Sequence, residues 1–201
     1  MTSSQPPMVV VFGRPGAGKT TVSEKAVELL LETNNGLVTC LDLDVCVPQW
    51  MKDNFVKGMY PTLEQRKEFA VGACNYVDEK LEAMRQSDKV IVSFSFVNTD
   101  LREDFRARFP RAKWVLVDTS DDTAQDRINQ REGHFYKGAP PSEAGSNSQH
   151  DEHEKNEKDK SETDNTEWNF APVDFDHILL DGLQSVEANA KQVIQVLNQD
   201  D

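Results

Sequence analysis

A glycine-rich octapeptide near the start of the chain restricts its fold more than any other feature. The segment Gly13-Arg-Pro-Gly-Ala-Gly-Lys19-Thr20 follows the apolar run Met8–Phe12 and precedes a stretch whose apolar residues recur at helical spacing. Its glycines allow successive backbone N–H groups to turn inward around a phosphate, and the N-terminus of the following helix adds a favourable dipole. This GxxxxGK[ST] pattern between a strand and a helix predicts a P-loop.

The P-loop pattern assigns roles to individual side chains. Lys19 is expected to bring its charge to the β- and γ-phosphate oxygens, and the Thr20 hydroxyl is expected to ligate Mg²⁺. ATP and Mg²⁺ are therefore the expected cofactors. The predicted nucleotide-binding residues are Gly13, Arg14, Pro15, Gly16, Ala17, Gly18, Lys19, Thr20 and Thr21. The alternative, an ordinary turn carrying a solvated lysine, is disfavoured by the flanking strand and helix.

Short β-branched apolar runs alternate with amphipathic stretches along the rest of the chain. This alternation is typical of a parallel sheet with helices on both faces, and it predicts an α/β P-loop NTPase three-layer sandwich with a five-stranded parallel sheet. The expected strands are Met8–Phe12, 37–41, 89–93, 113–117 and 177–180. The expected helices are one ending at 34–36, a long one over 62–86, one over 99–109, one beginning near Asp121, and one over 185–198.

One acidic segment interrupts this pattern. Residues 142–167 contain nine acidic residues, three lysines and one apolar residue. Such a composition cannot bury enough apolar surface to offset the entropy of ordering, so we expect a disordered insertion there. Residues 1–201 are otherwise expected to form a single domain, because the length suits one core.

Charge and cysteine usage exclude several classes of function. The net charge of −13 would repel a phosphate backbone or an acidic membrane surface, so neither nucleic acid nor membrane is an expected partner. The three cysteines show no CxxC spacing and indicate reduced thiols in a cytoplasmic protein, with no disulfide framework or zinc site. A small-molecule substrate and a monomeric or homodimeric state are expected.

Two acidic residues follow the second predicted strand. Asp42 and Asp44 are two residues apart, and in an extended chain such residues point the same way. Because the carboxyl ends of parallel strands form the ligand crevice, both carboxylates should face the P-loop. One would hold Mg²⁺ through water and the other would accept the proton of an attacking hydroxyl. The alternative is that the pair only caps the loop before the next helix.

These motifs together resemble a known family. The P-loop, the Asp-x-Asp pair and the segment Arg127-Ile-Asn-Gln-Arg-Glu-Gly-His-Phe135 are similar to the small P-loop kinases of the gluconokinase and shikimate kinase group, and most similar to gluconokinase. The spacing of Asp44, Pro48, Gly58, Leu63 and Arg66 also matches that of gluconokinase-like substrate helices. The resemblance runs from about residue 9 to 136, resumes at the last strand and helix, and implies a lid over the site.

The resemblance implies a role for each matching residue. Asp42 would hold the metal with Thr20, Asp44 would act on the substrate hydroxyl, and Arg127 and Arg131 would contact the transferring phosphate. Lys19, Asp44, Arg127 and Arg131 are thus the predicted catalytic residues. The alternative for the arginine pair, which lies on one face of a helix, is surface pairing with Asp122 or Asp126.

The substrate side departs from the gluconokinase-like pattern. Val47 stands where that pattern has a histidine before the proline, and residues 95–98 (Ser-Phe-Val-Asn) lack its basic residue. The lid after Phe135 is replaced by Tyr-Lys-Gly-Ala-Pro-Pro and the acidic segment. The phosphate side is unchanged, so the reaction class is better supported than the sugar acid.

Arg66 is the second predicted substrate-binding residue, beside Asp44. Its planar guanidinium is suited to a carboxylate or phosphate, whereas the alternative is a solvated position beside Glu64 and Glu68. The nearby aromatic residues Trp50, Phe55, Tyr60 and Phe69 have two interpretations, a substrate pocket or ordinary core.

The leading hypothesis is ATP-dependent phosphorylation of a hydroxyl on a small polar metabolite, such as the sugar acid gluconate. A nucleoside or nucleotide kinase on the same scaffold is the first alternative, and a non-catalytic nucleotide-binding regulatory module is the second. The third predicted strand ends in Ser93-Phe-Ser, where a motor ATPase needs an acid, and this disfavours mechanical or helicase work.

Overall fold

Five parallel strands form one sheet in the order β2-β3-β1-β4-β5. The fold is taken from a computed structural model, which describes residues 5–32, 37–130 and 170–199. The strands are β1 (Met8–Phe12), β2 (Val38–Asp42), β3 (Lys89–Phe94), β4 (Lys113–Asp118) and β5 (Ile178–Asp181). The predicted fold class, an α/β P-loop sandwich with five parallel strands, is confirmed.

Helices cover both faces of this sheet. They are α1 (Lys19–Glu32), α2 (Gln49–Val56), α3 (Leu63–Glu82), α4 (Thr99–Arg108), α5 (Asp121–Asn129) and α6 (Val186–Leu197), with a 3-10 helix at Leu43–Cys46. The long helix begins where its sequence predicts, because Thr62 and Gln65 form a capping box at its N-terminus. Observed and predicted ends otherwise agree to within four residues, several of them coincide, and the sequence patterns did not predict α2.

Side chains alternate between two cores on opposite faces of the sheet. In β1, Val9 and Val11 pack with α1 and α6, whereas Val10 and Phe12 pack with α3 and α4. Both sets are fully buried, and a strand covered on both faces is typical of the centre of a parallel sheet. Because the strands run parallel, their carboxyl ends meet at one edge of the sheet, where the ligand crevice of such sheets lies.

A buried arginine in α4 joins the two parts of the chain on either side of residues 131–169. Arg102 is 1% exposed and donates hydrogen bonds to the carbonyl oxygens of Phe96 and Val97, in the β3–α4 loop, and of Ala171 and Pro172, at 2.7–3.1 Å. Its guanidinium also lies 4.4 Å from the centroid of the Phe170 ring. Burial lowers the pKa of Arg102 to about 10, so it remains charged at neutral pH.

The predicted acidic insertion, residues 142–167, and the lid implied by the resemblance lie outside the described residues. Within the described ranges, no helix combines the length and apolarity needed to cross a membrane. The three cysteines are all free: Cys74 is buried, and Cys40 and Cys46 are half-buried. Burial raises the pKa of Cys40 to about 12 and that of Cys74 to about 11, which keeps both thiols protonated at neutral pH.

We expect Arg102→Ala to reduce the free energy of unfolding by at least about 3 kcal/mol, because it leaves several buried carbonyl groups without donors. Arg106→Ala is the matched control: Arg106 is exposed on the same helix and contacts only the Phe175 ring, 4.2 Å from its centroid, among the described residues. Loss of that contact should cost about 1 kcal/mol or less. Urea denaturation measures both variants, and equal losses would contradict the role given to Arg102.

Candidate active site

The P-loop occupies the centre of the carboxyl edge, between β1 and α1. Gly13, Gly16 and Gly18 have φ angles of 148°, 84° and 98°, in a region that L side chains rarely adopt. A Cβ on Gly16 would lie 2.3 Å from the carbonyl oxygen of Ala124, so the loop also packs tightly on α5. Lys19 is buried, and its Nζ donates to the carbonyl oxygen of Arg14 at 3.0 Å, across the loop.

Asp42 links the P-loop to the end of β2. The Thr20 hydroxyl donates to its Oδ2 at 3.0 Å, while its Oδ1 accepts the backbone N–H of Asp44 at 2.9 Å. Asp42 therefore caps the 3-10 helix and contacts the predicted metal ligand at the same time. One oxygen of this carboxylate therefore makes the capping contact of the alternative interpretation, and the other contacts the hydroxyl of the predicted metal ligand.

Ser93 adds a hydroxyl that sequence reasoning did not assign to the site. It pairs in register with Asp42, lies in the cavity wall with Thr20, and is 1% exposed. Its Oγ has no hydrogen-bond partner among the described residues, which calls for a ligand or water there. The signal in the sequence was its position at the end of β3, where a motor ATPase carries an acid.

The hydroxyl and carboxylate oxygens at this point suit Mg²⁺. The ion prefers hard oxygen donors, keeps several waters, and in nucleotide sites binds through one or two protein groups and phosphate oxygens. Thr20 would ligate it directly, Asp42 would hold it through water, and the Ser93 hydroxyl is available to a metal-bound water.

A single cavity extends from the P-loop to α2 and α3. It contains about 1010 Å³ of empty space, its open mouth included. Predicted site residues in its wall are Pro15, Gly16, Gly18, Lys19, Thr20, Asp42, Asp44 and Arg66. The structure therefore brings the predicted phosphate, metal and substrate residues to one space.

Arg66 is buried in this wall, and the solvated alternative for it is wrong. Its side chain is 3% exposed; its Nε donates to Asp100 Oδ2 at 3.0 Å and its Nη1 to the carbonyl oxygen of Pro61 at 2.9 Å. The position beside Glu64 and Glu68 in sequence did not decide its environment, because helical spacing turns those residues to another face. Its substrate role stays a prediction.

Arg127 lies on the opposite side of the P-loop, in the wall of a second cavity. Its Nη1 donates to the carbonyl oxygen of Ala17 at 3.1 Å and its Nη2 to that of Gly182 at 3.0 Å. It thus ties the P-loop to the loop between β5 and α6, and the described contacts do not include the predicted alternative partners Asp122 and Asp126. Its contact with a transferring phosphate stays a prediction, and Arg131 lies outside the described residues.

The second cavity also contains Asn189, which sequence reasoning did not identify. Its Nδ2 donates to the carbonyl oxygen of Asp181 at 2.9 Å, and its Oδ1 has no partner among the described residues although the side chain is 1% exposed. Arg14 and Thr21 complete the predicted nucleotide residues: Arg14 pairs with Asp121, and Thr21 lies in this cavity.

A family model described as AAA domain, AAA_33, matches residues 8–165. The chain belongs to this family. The match spans the P-loop, the Asp-x-Asp pair and Arg127, so the family assignment covers most of the site described above. A comparison with curated proteins found no sequence that matches this chain.

Several solved structures share the fold of this AAA_33 member. A sugar kinase from Janibacter sp. HTCC2649 has a TM-score of 0.67 at 19% identity and covers 96% of this chain and 95% of its own. The APS kinase of Mycobacterium tuberculosis, solved with AMPPNP and APS, has 0.63 at 14%, covering 97% and 99%. A gluconokinase from Sinorhizobium meliloti 1021 has 0.56 at 18%, covering 96% and 91%. The TM-scores show a common fold, and at such low sequence identities they do not single out gluconokinase.

We expect Arg127→Ala to weaken nucleotide binding by about tenfold or more, because both the P-loop and the β5–α6 loop lose a shared donor. Arg127→Lys should recover only part of the affinity, since one ammonium cannot reproduce the planar two-carbonyl contact. Calorimetric titration with AMPPNP measures the change. Wild-type affinity in Arg127→Ala would show that the two loops hold their positions without it.

Proposed function

We propose that this protein is an ATP-dependent kinase that transfers the γ-phosphoryl group to a hydroxyl of a small molecule. One observation carries the proposal: Lys19, Thr20, Asp42 and Asp44 line one cavity, and the backbone N–H of Asp44 donates to Asp42 Oδ1 at 2.9 Å. We further propose that residues 1–201 form a single kinase domain that acts in the cytoplasm as a monomer or homodimer, in keeping with its free thiols.

The side chains divide the work of phosphoryl transfer between them. The P-loop N–H groups and Lys19 would hold the β- and γ-phosphates in line with the acceptor, which supplies most of the catalysis in such reactions. Asp44 would accept the proton of the acceptor hydroxyl as its oxygen bonds to the γ-phosphorus. Bound Mg²⁺ would neutralise charge on the phosphate oxygens, and Asp42 would orient Thr20 for it through the 3.0 Å hydrogen bond.

The resemblance suggests a sugar acid such as gluconate as acceptor and Arg131 as a second arginine at the transferring phosphate. The similarity in fold to a gluconokinase and to a sugar kinase supports an acceptor with a hydroxyl. Arg66 would then face the acceptor, although its charge is already paired with Asp100.

Lys19→Ala should abolish ADP formation while the melting temperature stays within a few degrees, because this lysine supplies charge and little packing. Lys25→Ala is the control: Lys25 lies on the same helix and pairs with Glu28 at the surface. A coupled assay of ADP release with polyols, sugar acids and nucleosides reports both variants. Undiminished turnover in Lys19→Ala would refute the phosphate site.

Asp44→Asn and Asp42→Asn should differ in their kinetics. Loss of the Asp44 carboxylate should reduce kcat about 100-fold or more with little change in nucleotide affinity, since it acts on the acceptor proton. Asp42→Asn should instead raise the Mg²⁺ concentration needed for half-maximal rate, because the negative charge beside Thr20 and the proposed metal site is lost. Identical profiles for the two variants would show that the proposed division of roles is wrong.

A further inference from the structure

The acceptor end of the cavity is lined mainly by apolar and aromatic side chains. Its wall there contains Val47, Met51, Phe55, Phe69, Val97 and Leu101. Four of these side chains are each less than 9% exposed: Val47, Met51, Phe69 and Leu101. Packing therefore holds them in place, and the wall is apolar at these positions. A ligand that enters this end exchanges water for an apolar surface.

Two polar side chains at this end, Arg66 and Tyr60, already have partners. Arg66 pairs with Asp100 and with the carbonyl oxygen of Pro61. The Tyr60 hydroxyl donates to Asn98 Oδ1 at 2.5 Å, and burial raises the pKa of Tyr60 to about 12, so the phenol stays protonated. The charge of Arg66 is thus compensated within the wall, which reduces its attraction for a carboxylate.

The aromatic side chains present ring surfaces in two pairs. Phe69 and Phe94 lie with centroids 5.1 Å apart at 34°, and Phe55 and Tyr60 lie 6.3 Å apart at 59°. All four line the cavity. A flat ligand ring would gain offset or edge-to-face contacts here that an open-chain polyol lacks.

The departures from the gluconokinase-like pattern fall on this same surface. Val47, in place of a histidine, and Val97, in a loop without the expected basic residue, both line the cavity. A polyhydroxylated acid would therefore meet methyl groups where its hydroxyl and carboxylate groups need partners, and burying such groups unpaired is unfavourable.

We propose that the acceptor is an uncharged alcohol whose hydroxyl is carried next to an aromatic or heteroaromatic ring. This inference rests on the proposed function and names its substrate class. The ring would lie between α2 and α3, with the hydroxyl at Asp44. The acceptor oxygen would form a bond to the γ-phosphorus of ATP as the bond to the ADP oxygen breaks, and the hydroxyl proton would pass to the Asp44 carboxylate and then to solvent.

Binding and turnover are measured separately on the full chain. Saturation-transfer NMR with AMPPNP and Mg²⁺ present tests benzyl alcohol, uridine, gluconate and glycerol; AMPPNP keeps uridine from the nucleotide site. The coupled ADP assay tests the same four compounds with ATP. We expect signals from the ring protons of benzyl alcohol or uridine and none from gluconate or glycerol. The first two probes distinguish a free aromatic alcohol from a ring attached to a sugar.

Variants at the cavity wall locate the binding. Val47→His should raise the KM of the ring-bearing acceptor at least tenfold, whereas Val56→His, at a position 70% exposed on α2, should not change it. Phe55→Leu, which keeps the apolar volume and removes the ring, should raise KM severalfold, and Phe55→Tyr should not. Phe55 is only half-buried, so this pair remains informative if Val47→His does not fold.

The outcomes separate the inference from the proposed function. Turnover of gluconate or glycerol without binding of either ring compound would overturn the inference and leave a hydroxyl kinase. Binding of a ring compound that is lost in Phe55→Leu, without ADP release from any compound, would show that the cavity binds a ring but would overturn the proposed function and, with it, the role of that ring compound as acceptor. Failure of both ring compounds to bind would overturn the inference whatever the ATP turnover.

Discussion

The burial of β1 on both faces determines how the other strands and helices can be arranged. Val9, Val10 and Val11 have no solvent exposure, so helices must cover both sides of the sheet, and the chain must cross over it between successive strands. The order β2-β3-β1-β4-β5 then places the loop after β1 between the ends of β3 and β4. The P-loop in that position lies beside the end of β3, which contains Ser93, and one strand away from the end of β2, where Asp42 pairs in register with Ser93.

A second constraint acts on the loop after β3. Phe96 has a φ of 45°, which is unfavourable for a bulky residue, yet it is 3% exposed and packs against Phe94, Phe105 and Trp114. The Arg102 guanidinium holds this loop further, because it donates hydrogen bonds to the Phe96 and Val97 carbonyl oxygens. Core packing and a buried cation thus hold the loop that forms part of the acceptor wall. The apolar surface of the wall at this loop therefore depends on the packing of the core.

Prediction succeeded where local chemistry dominates and missed what depends on distant partners. The strands, the long helix and the P-loop are encoded in short stretches, and the structure agrees with their predicted bounds to within a few residues. Helix α2 was missed because Gln49–Val56 has only eight residues, which is about two turns and too short to show a clear helical periodicity. The two alternatives for Arg66 were equally open from its sequence neighbours, since its actual partner, Asp100, is 34 residues away.

The fold class and the P-loop could be predicted from the sequence, because strand periodicity and glycine spacing are local properties. Asp42 and Asp44 both line the cavity, but Asp44 lies in the 3-10 helix Leu43–Cys46 and not in the extended segment from which its direction was predicted. Three features follow from tertiary contacts: Arg127 bridges Ala17 and Gly182, Arg66 is paired with Asp100, and Phe55, Tyr60 and Phe69 line one cavity. Burial and pairing depend on which elements the sheet brings together. The sequence around a residue does not indicate which distant residues will lie next to it in the folded chain.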